Sequence, residues 1–313
     1  MNNIQIYYHA DCLIKSNGVN HPERKERLDS IISSIKEIHN IEINFNDAPL
    51  IDLEFVYPIH PKDHIDNIFT KIPKNGLNSL ENEPYADTFL CPNSKNAILR
   101  ACGAGILAAD NLIINSNKKH FCAVRPPGHH AETKRANGFC FFNNVAITAK
   151  YLQNKYELNK IAIIDFDVHH GNGTQDIFFN NEKVLYISTH QYPFYPGTGS
   201  EKEKGKFDNI FNIPLASGTT SNEYLNAYEH VLKKIKKFKP DFILFSAGFD
   251  AHKNDPLANF KLESKDFFEI TKRTLDVYKE VNGKKTVSIL EGGYELNALA
   301  ESADQHVKAL NEF

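Results

Sequence analysis

What this chain of 313 residues lacks narrows what it can be. The formal net charge is only -3, with 36 Lys and Arg against 39 Asp and Glu, which argues against a dedicated nucleic-acid surface. No apolar run approaches the roughly eighteen residues that a membrane span needs. The opening MNNIQIYYHADCL has neither the basic start nor the apolar core of a secretion signal. The five cysteines, at positions 12, 91, 102, 122 and 140, are odd in number and show no C-x-x-C spacing. They promise no disulfide framework and suit reduced thiols in the core of a cytoplasmic protein. There is no internal repeat and no low-complexity segment. What remains is ordinary for a globular chain, 41% hydrophobic and 24% charged, and long enough for one large α/β domain or two small ones.

The most informative stretch runs from Ile161 to Gln175, IAIIDFDVHHGNGTQ. An apolar run bounded by a glycine-rich turn suits a strand buried on both faces of a parallel sheet. Successive strand side chains point to opposite faces, so Asp165, Asp167 and His169 are expected to project together. Burying two carboxylates and an imidazole there is costly unless they are paired or hold a cation. A metal ion is the expected compensation.

Asn2–Tyr8 reads as an opening strand, and Ile31, Ile32, Ile35 and Ile38 carry helical spacing after His21-Pro22-Glu23-Arg24. Residues 73–93 are rich in turn formers and too long for a routine connection, which points to a functional loop. Ser94–Ile114 reads as a closely packed helix. Thereafter a strand, a polar cluster and often a helix recur. HFCAV ends in RPPGHHA, IAIID in FDVHHGNG and KVLYIS in THQYPFYPGTG; DFILFS ends in AGFDAHKNDP and TVSIL in EGGY. Helices are expected at Asn222–Lys239 and Ser264–Val281. Alternating strands and helices imply a mainly parallel sheet, and ligands bind such sheets at the carboxyl ends of the strands. Every His/Asp/Tyr cluster falls at one of those ends, which favours one site in a single domain spanning 1–313.

Asp167, His169 and Asp250 are the candidate metal ligands. Three protein ligands with an open position make a catalytic rather than a structural site, and this donor set suits zinc. Oxygen-rich ligation also fits Fe(II) or Mn(II). The bland alternative, strand-end caps and ion pairs, explains any one of them more easily than all three. His129 and His130, after the stiff Arg125-Pro126-Pro127-Gly128 turn, are candidate proton carriers because an imidazole titrates near pH 6.5. Asp165 is placed to orient one imidazole or to hold a monovalent cation beneath the strand. Tyr294 follows the flexible pair Gly292-Gly293, and its hydroxyl could stabilise a developing oxyanion. Phe139 and Tyr195, ordinarily core aromatics, flank the same clusters and read as walls. The basic run Lys233–Lys239 reads as the solvated last turn of a helix.

RPPGHHA, GFCFFNN, DFDVHHGNGTQ, PFYPGTG, AGFDAH-x-x-DPL and LEGGY, in this order, resemble the zinc-dependent histone deacetylases, in particular the class II branch and its bacterial amidohydrolase relatives. The likeness starts at HPERKERL near residue 21 and reaches the C-terminus. It implies an arginase-like α/β fold with a central eight-stranded, mostly parallel sheet. It implies zinc on Asp167, His169 and Asp250, with His130 as general base and then acid and His129 assisting. Tyr294 would polarise the amide carbonyl. Gly138, Phe139 and Tyr195 would line the tunnel, with Gly292 and Leu257 beside it and Asp87 accepting from the substrate amide. A structural potassium would use Asp165, Ser188 and carbonyls of Asp167, His169 and Thr189. Arg27 would match an arginine near an internal acetate-release path.

Two departures stand out within that resemblance. Asn172 stands where class I members place an aspartate behind the tandem histidines, and Tyr195 replaces a more usual Phe. The substrate implied is an acetylated lysine of a protein or peptide, with an acetylated polyamine or other small amine as the alternative. Nucleic acid and membrane are not expected partners, and an oligomer is left open. A two-manganese ureohydrolase lacks its D-x-H-x-D pattern here. A catalytically silent acetyl-ligand module would have lost a ligand or the tyrosine.

Overall fold

The computed structural model describes residues 3–80, 86–115 and 118–313. Its strands are β1 (Asn3–Tyr8), β2 (Glu42–Asp47), β3 (Asn78–Ser79), β4 (Phe89–Leu90), β5 (Lys118–Cys122) and β6 (Ile161–Asp165), then β7 (Val184–Gln191), β8 (Ile210–Leu215), β9 (Phe242–Ala247) and β10 (Thr286–Leu290). The helices are α1 (Asp11–Ile14), α2 (Glu26–Lys36), α3 (Lys62–Thr70), α4 (Ser94–Ile114) and α5 (Asn144–Tyr156), then α6 (Asn172–Phe178), α7 (Ser221–Phe238), α8 (Ser264–Glu280) and α9 (Leu296–Asn311).

Eight strands form one sheet in the order β2-β1-β5-β10-β9-β6-β7-β8, and every pairing in it is parallel. The expected "mostly parallel" is therefore fully parallel. Helices cover both faces: α4, α5 and α6 form one row, and α7, α8, α9 and α2 the other. This double cover explains why the apolar runs of β6, β7, β9 and β10 are buried at every position. The antiparallel pair β3–β4 lies within the long 73–93 loop, of which 81–85 fall outside the described residues.

The apolar-run expectation needs one correction. Helix α4 is 21 residues long with mean hydropathy 1.6 over its most apolar window, enough by length and composition to cross a membrane. It packs instead against α5, β10, β1 and β5, with its small residues Ala101, Cys102, Gly103, Ala104 and Gly105 all buried.

Strand β6 stops at Asp165, so Asp167 and His169 are not carried by strand alternation. They sit in a turn that folds on its own carboxylates: the Asp167 N–H donates to Asp165 Oδ1 (3.2 Å) and the His169 N–H to Asp167 Oδ1 (2.9 Å). Asx-type turns of this kind, rather than pleat geometry, bring the side chains together.

Candidate active site

Four neighbouring strands in the middle of the sheet, β5, β10, β9 and β6, end in the turns that carry His129-His130, Tyr294, Asp250 and Asp167/His169. The site thus lies at the carboxyl edge of the sheet, where the strand order crosses over.

One donor atom each from Asp167, His169 and Asp250 lie within 4.8 Å of one another, and all three residues are buried. Nδ1 of His169 is 3.1 Å from Asp167 Oδ1 and 3.1 Å from Asp250 Oδ2. The remaining carboxylate oxygens are held by backbone: Gly292 N–H donates to Asp167 Oδ2 (2.9 Å) and Val168 N–H to Asp250 Oδ1 (2.9 Å). Gly292 can approach because it has no side chain; a Cβ there would sit 2.2 Å from Asp250 Oδ2. Electrostatics report a site short of positive charge. Burial lifts Asp250 to about 7, with Asp167 adding to the rise. For His169, burial alone would lower the value, but bonds to Asp167 and Asp250 push it up to about 10. Two buried carboxylates and one imidazole with their outer lone pairs already satisfied match a divalent cation on Asp167, His169 and Asp250. The donor set does not distinguish zinc from Fe(II).

The tandem histidines differ in their backing. His129 Nδ1 donates to Asp165 Oδ2 (3.0 Å), which also accepts from the Tyr186 hydroxyl (2.9 Å). His130 Nδ1 meets Asn172 Oδ1 (2.8 Å), and the Asn172 amide donates to Glu132 Oε1 (2.6 Å). For His129, burial is outweighed by Asp165 and Asp167, which push it up to about 10. For His130, burial and the neighbouring His129 and His169 hold it well below the usual imidazole range. The two rings lie 4.0 Å apart.

A cavity of about 190 Å³ leads to this group, lined by Asp87, His130, Gly138, Phe139, His169, Phe194, Tyr195, Leu257 and Tyr294. Tyr195, 41% exposed, marks its mouth, and its hydroxyl donates to Asn137 Oδ1 (3.1 Å). Gly138 has φ +56°, and a Cβ there would fall 2.5 Å from His130 Cδ2, so no side chain fits that wall. Phe139, itself at φ +68°, is held by His21 (ring centroids 4.7 Å) and by its N–H donating to Thr88 (3.1 Å). Asp87 shares this wall, and its carbonyl pairs with His21 Nε2 (3.1 Å).

Tyr294 is a largely buried part of the cavity wall, and burial raises its phenol well above 10. The Arg27 guanidinium lies 4.9 Å from its ring centroid and donates to the carbonyls of Gly293 and Glu291. Ser188 is the register partner of Asp165 and bonds to His190 Nδ1 (2.8 Å).

Sequence reasoning singled out Asp87, His130, Gly138, Phe139, His169, Tyr195, Leu257 and Tyr294, which line the cavity, and Asp167, Asp250 and His129, which do not line it but cluster with His169 and His130. It missed Phe194, which stacks on His169 (5.5 Å) one residue before Tyr195. It missed Asp255, whose carboxylate accepts from the Tyr294 N–H (2.7 Å), although the DPL motif contains it. It also missed Glu291, the second letter of LEGGY, and the buried Glu23–Arg125 pair.

Known proteins place this architecture. The family model of the histone deacetylase domain matches residues 21–310. The chain is 34% identical over 97% of its length to the type-2 histone deacetylase 2 of Dictyostelium discoideum, of which it spans only 20%. It is similar, again at 34%, to a probable deacetylase of Archaeoglobus fulgidus, covering 93% of this chain and 81% of that one. The crystal structure of the HDA15 HD domain superposes with TM-score 0.91 at 33% identity, covering 100% of this chain and 90% of that one.

Proposed function

The chain belongs to the histone deacetylase family of hydrolytic deacetylases, and from that premise we propose that it cleaves an N-acetyl amide to acetate and a free amine, with the acetyl-lysine side chain as substrate and zinc on Asp167, His169 and Asp250. The observation that carries this reading is the convergence of those three donors within 4.8 Å beside a narrow cavity that also exposes His130 and Tyr294.

A bound zinc polarises an amide carbonyl and lowers the pKa of a water ligand towards about 7. The chain's own groups do the rest. Asn172 offers its carbonyl oxygen to His130 Nδ1, because its amide nitrogen is turned to Glu132. That fixes the proton on Nδ1 and leaves Nε2 free to accept one. His130, kept neutral by burial and by His129, takes the proton of the attacking water and returns it to the departing nitrogen. His129, paired with Asp165, contributes positive charge beside it. Tyr294 stays protonated and donates its O–H to the oxyanion that develops on the carbonyl. Phe139, Phe194, Tyr195 and Leu257 exclude water from an aliphatic stem.

Leu257 favours acetyl-lysine, since it offers no charge to a second ammonium. Asp87, a carboxylate lining the same cavity, favours the second reading, an acetylpolyamine. Turnover of an acetyl-lysine peptide against N-acetylputrescine separates them: a preference for the amine of ten-fold or more would replace the first reading with the second. A potassium ion beneath β6 is proposed on the resemblance, supported by the pairing of Asp165 with Ser188.

A further inference from the structure

We propose that Glu291 is a positioning residue that locks the turn bearing His129 and His130 to the turn bearing Tyr294. The inference rests on the roles assigned above to those three side chains.

Glu291 follows β10 directly and is fully buried. One of its oxygens, Oε2, accepts from two consecutive backbone donors, Gly128 N–H (2.7 Å) and His129 N–H (3.1 Å). The other, Oε1, accepts from the Ser246 hydroxyl on β9 (2.9 Å). No lysine or arginine pairs with this carboxylate among the described residues. Burial lifts this carboxyl to about 7, against the opposing charge of His129, and for stability alone an apolar side chain of similar size would serve better. What it does here is geometric. Successive N–H groups aimed at one oxygen fix a turn as a nest fixes an anion. The nest is the turn that ends in His129-His130, on a segment 163 residues away in sequence.

The backbone of the same residue is fixed from other directions. Its N–H donates to Ala247 O (2.9 Å), and its carbonyl accepts from Arg27. Tyr294 lies three residues on. One residue therefore couples the proton carrier to the oxyanion donor, with Ser246 setting the torsion of the coupling arm. Reacting groups displaced by about 1 Å can lose on the order of a hundredfold in rate. Losing a group that orients a working side chain commonly costs about 10- to 100-fold.

The test separates reach from charge in the zinc-loaded enzyme. Glu291→Gln keeps the length and one acceptor oxygen for the two N–H groups, and Ser246 can accept from its amide. Glu291→Asp keeps the charge but retracts the acceptor by one methylene. Expected is a kcat within about threefold of wild type for Gln and about 10- to 100-fold lower for Asp, with KM within twofold and zinc content unchanged in both. The His129 and His130 ring nitrogen resonances should shift in Asp and stay in place in Gln. A Gln variant as impaired as Asp, or an Asp variant with unchanged kcat and resonances, overturns the proposal. His130→Ala is measured alongside: if it retains activity, the acid–base reading fails by itself, whatever Glu291 does.

Discussion

His129 Nδ1 lies 3.0 Å from Asp165 Oδ2, while the adjacent His130 has an amide, not a carboxylate, behind it. Two imidazoles 4.0 Å apart are thereby split into one that keeps its proton and one that gives it up. Pushing neighbouring titratable groups apart in this way is how acid and base duties are divided.

Replacing Asn172 by Asp should undo the split. A carboxylate at that distance stabilises the imidazolium and raises the His130 value. The acidic limb of the kcat/KM profile should then move to higher pH, because the free base becomes scarce at a given pH. Repulsion from Glu132 will also cost stability. A profile that keeps its acidic limb in place would take His130 out of the base role.

Tyr294→Phe should lower kcat by about 100- to 1000-fold, as loss of an oxyanion donor does elsewhere. Zinc content should not change, because the phenol is not among the donors that converge with Asp167. Steady-state kinetics with parallel elemental analysis checks both halves. Near-normal turnover would remove the phenol from the chemistry.

Glu23 should be the most sensitive charge away from the cavity. It is fully buried and contacts Lys15 (3.6 Å), Arg27 (3.4 Å) and Arg125. Despite burial, these three cations hold its carboxyl well below the usual range. Arg27 continues to Tyr294 and Arg125 leads into the histidine turn, so one carboxylate braces both. Glu23→Gln leaves three buried cations without an anion and should cost about 3–5 kcal/mol. A urea midpoint shifted with an unchanged slope would report it; a change under about 1 kcal/mol would mean the cations are compensated otherwise.

Stability should fall as pH drops below about 6.5. Burial depresses both His60 and His306 to about 3. The unfolded chain binds these protons first, so stability is fully present above 6.5 and is lost on acidification towards 3. Each contributes a slope of up to about 1.4 kcal/mol per pH unit in that window. His306 bonds to Thr271 and Ser288 inside a ring of phenylalanines, so His306→Gln keeps a polar partner while removing the titration. Comparing urea midpoints at pH 7 and pH 5 should show a shallower fall in the variant.

The fold was legible where strands are buried on both faces, because apolar runs such as IAIID and FILFS have no other use. The edge strands β2 and β8 were not: EINFND is two-thirds polar, and IFNIPL carries Pro214. Each has a neighbour on only one side, so neither needs a continuous apolar run. At the site, side chains with their own chemistry were legible at strand ends. Glu291 was not, since its meaning lies in two backbone N–H groups that no periodicity encodes. Tyr195 was identified as a wall but its neighbour Phe194 was not, because adjacent aromatics in PFYPGTG give no sign of which faces the imidazole. Asp167 and His169 were expected to project together by strand alternation, but the strand ends at Asp165 and a turn brings them together instead.

Zinc stoichiometry with acetate release, compared between wild type and Asp250→Ala, addresses the core of this reading. Wild type should carry one zinc per chain, lose acetate release on chelation and regain it on reloading. Asp250→Ala should be folded, metal-poor and inactive. Full acetate release from chelated wild type, or undiminished zinc in Asp250→Ala, would contradict a catalytic cation held by Asp167, His169 and Asp250.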